Sequence, residues 1–430
     1  MAIQRLEIDG YRSFERAVWE PGKLNLLVGP NASGKSNLLR LLEFIADVAA
    51  GRLEKAVNKA GGMVPLLWNQ EAHTLGWRLT IDPRAQQSTS SDRPFTFTLG
   101  LARRGGGAYA LAWEELNDWS ECPNVRFSVG YRRLHDSLAV YHGDSSVSSQ
   151  SPSGLVPSES LLPQVSDPVA NPFVASTKRL LESWRVYHGL EIGPESVIRR
   201  PFVPQYSKLV EPDGSNVFGV LHTLYEGGRD FKREIDEGMT AAFGEEFESV
   251  KFLPASRGTM QLALQWRSSR TPHYCDTLSD GTLRFLFLLT ILASPEPPPL
   301  IAIDEPEVGL HPSMLSIIAE YAVAAAERTQ VVISSHSPEF LDCFTDCEPR
   351  VTVFHWEDGR SHLYNLPDGK LKKWLELYRL GQLFTSGELD VLTLPEVEPL
   401  PDAEERFRDL PPQDAELPPQ QPATEGPPRD

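Results

Sequence analysis

The chain has 430 residues, 40% of them hydrophobic, with 59 acidic against 41 basic side chains and a formal net charge of −18. That composition supports a real core and either one large domain with insertions or two to three ordinary ones. It argues against salt-dependent DNA binding over a broad face. Arg103-Arg104, Arg132-Arg133 and Arg199-Arg200 leave a local basic groove open, but such pairs read as solvated side chains. Cys122, Cys275, Cys343 and Cys347 are too sparse and irregular for a disulfide framework or zinc, and imply reduced thiols. The longest apolar stretch, Phe285 to Ala293, is too short to cross a bilayer, so no membrane partner is expected.

In chain order, Ile3–Ile8 alternates like a strand, and the N-terminus lacks an apolar signal core, so a cytoplasmic protein is expected. Lys23–Val28 is a short apolar run bounded by Pro21-Gly22 and Gly29-Pro30, which reads as a buried strand. Residues 29–36 then spell Gly-Pro-Asn-Ala-Ser-Gly-Lys-Ser, a complete G-x-x-x-x-G-K-[ST] phosphate loop. Leu38, Leu41, Leu42, Ile45 and Ala49 follow at helical spacing, with Gly51 where a C-terminal cap belongs. Strand, glycine loop and helix N-terminus together make an anion site. Gly29 and Gly34 let successive N–H groups turn onto a phosphate, Lys35 supplies a charge, and the Ser36 hydroxyl suits Mg²⁺.

Further along, residues 72–145 favour β structure, with strands expected at Thr74–Ile81, Phe95–Leu101, Ala108–Trp113 and Val125–Tyr131. Residues 85–93 and 144–168 read as mobile surface loops. From Phe173 to about Phe247 the pattern turns helical, as in Val217–Tyr225 and Phe231–Phe243. No heptad run of useful length occurs, so no long coiled coil is expected. Parallel-sheet character returns with Pro299–Ile303 and Val331–Ser335, joined by a helix over 313–328. This βαβ layout puts Asp304, Glu305 and His336 at carboxyl ends of strands, the ligand edge of an open α/β sheet. Residues 391–430 hold ten prolines and ten acids against three bases, and read as a disordered acidic tail after one domain over 1–390.

The charged strand ends suit phosphoryl transfer. Asp304 fits the metal role and Glu305 the base that activates water. Leu278-Ser279-Asp280-Gly281-Thr282 opens a largely apolar segment and would form a second helix N-terminus able to meet an anion. Arg12 could stack on or pair with a nucleotide. Gln70 is either an ordinary loop amide or a residue that approaches Mg²⁺.

In order and spacing these pieces resemble the ATPase heads of the ABC superfamily in its SMC/RecF/OLD-like branch, and more closely the stand-alone AAA-type ATPases labelled RecF-like. Gly29–Ser36 matches Walker A, Leu278–Thr282 the signature loop, and Leu300–Glu305 Walker B. Glu307–Pro312 matches the D-loop region, and Ser334-Ser-His336-Ser-Pro338 the switch-histidine motif. The resemblance implies a P-loop NTPase head with a mixed β lobe, a parallel-sheet α/β lobe over about 273–366 and a helical insert. ATP would lie on Gly29, Pro30, Asn31, Ala32, Ser33, Gly34, Lys35, Ser36 and Asn37, with Arg12 beside it. Mg²⁺ would be held by Ser36 and Asp304, with Gln70 near, and Glu305, Lys35 and His336 would be catalytic. Two heads would pair, so that Ser279 and Gly281 of one meet the γ-phosphate held by the other. Asp280 departs from the glycine of transporter signatures. The implied function is ATP hydrolysis coupled to DNA repair, DNA maintenance or genome defence, with DNA, a separate nuclease or another effector protein as partner. An ABC transporter ATPase subunit and a non-hydrolysing scaffold are the alternatives.

Overall fold

The computed structural model describes residues 2–82, 94–118, 129–134, 137–142, 146–148, 155–189, 191–366, 371, 375 and 378–389. All lie in one compact unit, Met1–Thr393. The tail over 391–430, the loop at 85–93, residues 144–145 and 149–154 of the 144–168 loop, and Cys122 lie outside the described residues.

The chain begins with the hairpin β1 (Ala2–Tyr11) and β2 (Phe14–Trp19), then β3 (Leu24–Val28), α1 (Lys35–Ala49) and α2 (Leu53–Lys59). Next come β4 (Thr74–Asp82), β5 (Phe95–Arg103), β6 (Tyr109–Asp118), β7 (Val129–Leu134), β8 (Ser137–His142) and β9 (Ser146–Ser148). With the first hairpin these strands form an eight-stranded antiparallel sheet in the order β2-β1-β4-β5-β6-β7-β8-β9. The short helix α3 (Leu161–Gln164) and α4 (Pro172–Glu182) lead to β10 (Arg185–Tyr187), and α5 (Val217–Gly227) and α6 (Arg229–Phe243) follow. A small antiparallel sheet comes next, made of β11 (Phe247–Pro254), β12 (Met260–Trp266) and β13 (His273–Tyr274). The last part runs α7 (Asp280–Leu292), β14 (Leu300–Asp304), α8 (Pro312–Ala326), β15 (Gln330–Ser335), α9 (Pro338–Asp342), β16 (Arg350–Glu357), β17 (Arg360–Asn365) and α10 (Leu380–Ser386).

The main sheet has the order β10-β14-β15-β3-β16-β17, parallel from β10 to β16 with β17 antiparallel at the edge. Its central strands are almost continuously apolar because both faces are covered. Alternate residues serve different cores. Leu24, Leu26, Val28, Ile301, Ile303, Val331 and Ile333 pack with α5, α7 and α8. Leu27, Leu300, Ala302 and Val332 face the opposite way, toward α1 and the antiparallel sheet. On α1, Leu38, Leu41, Leu42 and Ile45 are fully buried in that second core. Among the described residues no helix exceeds the 15 residues of α1, α6 and α8, and none is long and apolar enough to cross a membrane.

Three local readings differ from expectation. The span 173–247 is interrupted by β10, which pairs in parallel with β14 and extends the main sheet. Leu161 and Leu162, expected in a surface loop, are buried on α3, where the buried Glu114 carboxylate accepts from the Ser160 hydroxyl and the Leu161 N–H (2.8 Å). Arg199, expected to be solvated, is only 9% exposed. In each case long-range packing overrides a local polar or turn-like composition.

One buried side chain ties the two large sheets together. Gln330 at the start of β15 accepts from the Ile3 N–H (2.8 Å) and donates to the carbonyls of Ile3 (3.2 Å) and Gly22 (2.8 Å). It sits where the β1–β4 register shifts between Ile3 and Arg5. Replacing it with leucine strands the Ile3 N–H and carbonyl, while Gly22 O keeps its bond from Asn25 Nδ2 (2.9 Å), and each orphan costs about 1–3 kcal/mol. Gln330→Leu is therefore expected to lower unfolding stability by about 3 kcal/mol in a denaturant titration. A midpoint equal to the parent's would show that the junction does not depend on this amide.

Candidate functional site

The site forms where β3, β14 and β15 end. Register pairs Asp304 with Ser334 and Ser335 with Val28, so the acidic end of β14, the strand before the histidine and the phosphate loop finish side by side. The loop leaves β3 through Gly29 at φ 150° and enters α1 through Gly34 at φ 111°. Both glycines also have a packing reason. A Cβ at Gly29 would lie 2.5 Å from the Phe354 carbonyl oxygen, and one at Gly34 would lie 2.3 Å from Ser361 Oγ. The antiparallel edge of β16 and β17 thus clamps the loop from outside.

Within the loop Pro30, Asn31 and Ala32 are exposed, while Ser33 and Lys35 are buried. No side chain caps α1, and its first turn carries no acid, so no side chain compensates the dipole at its N-terminus. Lys35 Nζ donates to the carbonyls of Gly29 (2.7 Å) and Pro30 (2.9 Å). Burial lowers its pKa, with Glu305, Asp304 and Glu307 pulling the other way. Ser33 Oγ is buried without a partner. Asn37 Nδ2 donates to Ser13 Oγ (2.8 Å), which fastens α1 to the β1–β2 turn.

Asp304 is the hub. Its Oδ1 accepts from Ser36 Oγ (3.3 Å) and from Ser334 Oγ, and His188 Nδ1 lies 3.5 Å from its Oδ2. Burial pushes the Asp304 carboxyl up, but hydrogen bonds from His188, Ser334 and Ser36 outweigh it and hold the pKa below the usual range. The other nitrogen of His188, Nε2, lies 3.2 Å from Glu43 Oε2 on α1. Burial disfavours a charged His188 ring, yet its hydrogen bonds to Asp304 and Glu43 prevail and raise its pKa. Glu43, bonded to His188 and then to Lys59, is held down to about 2.

Glu305 takes the left-handed conformation (φ 48°), uncommon for a residue with a Cβ, and its N–H is held by Ser334 O and Oγ, both at 3.1 Å. Its carboxylate reaches His336 Nδ1 at 3.0 Å. Ser335 Oγ (2.6 Å) and the His336 N–H (3.3 Å) donate to Glu307, whose other oxygen is buried without a partner and whose pKa burial raises.

Ser279 caps α7, accepting from the Thr282 N–H at 3.2 Å. Gly281 lies against the D-loop, where a Cβ would come 2.9 Å from Gly309 O, and Arg284 donates to Val308 O (2.6 Å). The structure thus brings together Lys35, Ser36, Asp304, Glu305 and His336, and separately Ser279, Gly281 and the D-loop. The two groups meet through that segment, where the His336 N–H donates to Glu307 (3.3 Å) and the Val308 N–H to Glu305 O (3.2 Å), but no hydrogen bond among the described residues joins Ser279 or Gly281 to Gly29–Ser36. Arg12 (φ 49°) donates to Tyr11 OH (3.2 Å) and lines a cavity of about 100 Å³ with Arg40 and Glu43. Gln70 (φ 58°) is exposed, its carbonyl accepts from Arg103 (3.5 Å), and its side chain bonds neither Ser36 nor Asp304. His188 is the side chain that reaches Asp304. Sequence reading missed it because β10 is three residues long and shows no period.

Comparisons with known proteins agree with this architecture. The profile of the family described as "AAA domain, putative AbiEii toxin, Type IV TA system" matches residues 24–100 and 146–342. A cytochrome c biogenesis ATP-binding export protein, CcmA, of Nitrobacter winogradskyi is 31% identical over 114 residues, covering 26% of this chain and 54% of that protein. The match thus spans about half of that relative. A solved SMC head bound to the C-winged helix domain of ScpA is similar at TM-score 0.53 and 13% identity, over 87% of this chain and all of that one. An SMC head from Pyrococcus furiosus with an extended coiled coil, bound to the C-terminal domain of ScpA, gives TM-score 0.47 at 14% identity, over 87% and 98% of the two chains. The chain belongs to this AAA-domain family and has the fold of an SMC head.

Proposed function

We propose that this chain binds ATP with Mg²⁺ at residues 29–37 and hydrolyses it when two copies pair head to tail, in a cytoplasmic switch acting on DNA or an effector protein. The observation that carries this reading is the convergence of Ser36 with Asp304 (3.3 Å) and of Glu305 with His336 (3.0 Å) at the mouth of the phosphate loop. The residues suit the ligand. The uncapped α1 terminus, the buried Ser33 hydroxyl without a partner and the two glycines that admit no Cβ form a cradle for an anion. Ser36 and Asp304 would hold the divalent ion, whose bound charge would offset that of the phosphates.

The chain's own groups divide the work. Lys35 exchanges its two loop carbonyls for phosphate oxygens. Glu305 is turned by its left-handed backbone toward His336 and is placed to accept a proton from water. His336, partly exposed beside Glu305, orients that carboxylate and faces where a terminal phosphate would end. His188 fixes Asp304 from the strand beside Walker B and ties it to α1 through Glu43. Ser279 and Gly281 form a second polar surface in the same chain that bonds no residue of the loop. A second copy would bring that surface to the first copy's ATP.

Lys35→Ala is expected to weaken ATP binding about a hundredfold, from the loss of charge-assisted hydrogen bonds. Parent-like binding in a fluorescence titration would remove the phosphate-loop assignment. Glu305→Gln should slow turnover about 10²- to 10⁴-fold and leave an ATP-bound dimer. Light scattering that reports the same mass with and without ATP contradicts head pairing. His188→Ala should raise the Mg²⁺ concentration needed for half-maximal nucleotide binding about tenfold, because Asp304 loses an orienting partner; an unchanged Mg²⁺ dependence removes His188 from the site. Turnover that rises with duplex DNA and falls with salt identifies DNA as the coupled partner, and an unaltered rate points to an effector protein.

A further inference from the structure

Outside the nucleotide site, the buried Arg199 side chain makes five hydrogen bonds. It closes a 3₁₀ turn (Val197–Arg199) whose Ser196 cap accepts from the Ile198 N–H at 3.4 Å, with Ile198 buried beneath. From there Nε donates to Ile192 O at 2.8 Å. Nη1 reaches the carbonyls of Cys275 (3.0 Å), Asp276 (3.3 Å) and Leu278 (2.8 Å), and Nη2 pairs with the carboxylate of Asp280. Cys275 answers by donating its thiol to Arg199 O at 3.4 Å. The guanidinium side chain is 8% exposed and the Asp280 side chain 65%.

We propose that Arg199 is a positioning residue for the signature loop. The inference rests on the composite-site reading above. A buried cation surrounded by carbonyls on one side of a loop dictates which way the peptide planes of that loop face. Three of its acceptors are the carbonyls immediately before Ser279. With those carbonyls turned inward, Ser279 reaches the cap of α7, and Gly281 rests on the D-loop carbonyl of Gly309. The pairing with Asp280 does a second job. The carboxylate that replaces the small residue of transporter signatures is neutralised by a cation from its own chain, so it does not meet an incoming phosphate as a free charge. Lysine cannot substitute, because a point charge lacks the planar fork that serves both the carbonyls and the carboxylate.

A purely structural arginine would lower stability and nothing else, so the test separates the two roles by complementation. Full-length Arg199→Met and Lys35→Ala proteins are assayed alone and mixed in equal amounts. Alone, Arg199→Met should bind a fluorescent ATP analogue like the parent, since its own phosphate loop is untouched, yet turn over about 10²-fold more slowly because Ser279 is misplaced. On mixing, the intact signature of the Lys35→Ala copy meets the ATP held by the Arg199→Met copy. With random pairing, turnover should recover to about a quarter of the parent rate. A Ser279→Arg protein mixed with Lys35→Ala is the control. If the control pair recovers and the Arg199→Met pair does not, the role of Arg199 is overturned while the composite site stands. If neither recovers, the composite reading fails and the proposal falls with it. Arg199→Lys covers the case in which methionine prevents folding. It should keep ATP binding, lose turnover and recover on mixing, whereas a parent-like rate alone would overturn the requirement for the fork.

Discussion

The carboxylate of Asp304 is the point on which the phosphate loop, the main sheet and its edge strand all depend. One oxygen takes donors from α1 (Ser36) and β15 (Ser334), and the other lies beside His188, just past β10. Each partner belongs to a different element, and the strand order β10-β14-β15-β3 makes them neighbours. A one-residue slip between β14 and β15 would turn Ser334 to the opposite face and leave a buried carboxylate short of a donor. The parallel register is therefore fixed by polar satisfaction at the strand ends as well as by apolar packing within them. Glu305 follows from the same constraint, because its N–H is anchored to Ser334 and its left-handed turn begins where Asp304 is held.

The two faces of the main sheet carry different parts of the chemistry. α1, with Lys35 and Ser36 at its start, packs on the face shared with the antiparallel sheet. α7, with Ser279 at its cap, packs on the other face with α5 and α8. No hydrogen bond among the described residues connects Ser279 with Gly29–Ser36. The start of α7 meets the segment after β14, where Arg284 donates to Val308 O (2.6 Å), and its cap stops there. That Ser279 bonds no residue of its own phosphate loop is the physical ground for proposing a shared site.

What could be read from the chain followed the range of the interactions. The phosphate loop, the strand before it and α1 are written in contiguous residues, because their function is local backbone geometry. β14 and β15 were visible as apolar runs ending in Asp304 and His336. His188 and Arg199 were not visible. His188 meets partners 116 and 145 positions away, and Arg199 meets partners up to 81 positions away, with no periodic pattern to mark either. β10 is too short to read and was absorbed into a helical segment, which hid the residue that follows it. In sequence Gln70 reads either as an ordinary loop amide or as a residue that approaches Mg²⁺. In the fold it ends the 3₁₀ turn Trp68–Gln70 and is exposed, with its carbonyl accepting from Arg103.

The charged groups at the mouth of the loop already have partners, and that shapes what a bound nucleotide would have to do. Lys35 is bonded to two carbonyls of its own loop, and Glu305 to His336. A buried ammonium without such bonds would cost several kcal/mol, so the loop stabilises its own cation. Phosphate oxygens are better acceptors than amide carbonyls, since bonds between charged groups are roughly twice as strong as neutral ones. Binding is then an exchange of partners at Lys35, with a gain per bond of about 1 kcal/mol rather than the full strength of a new contact. The same logic applies to Glu305. Its carboxylate is restrained by His336, and under the proposed mechanism a terminal phosphate that drew the histidine away would loosen the restraint on the proposed base. Recognition of the phosphate and release of the base would thus be two ends of a single hydrogen bond of 3.0 Å.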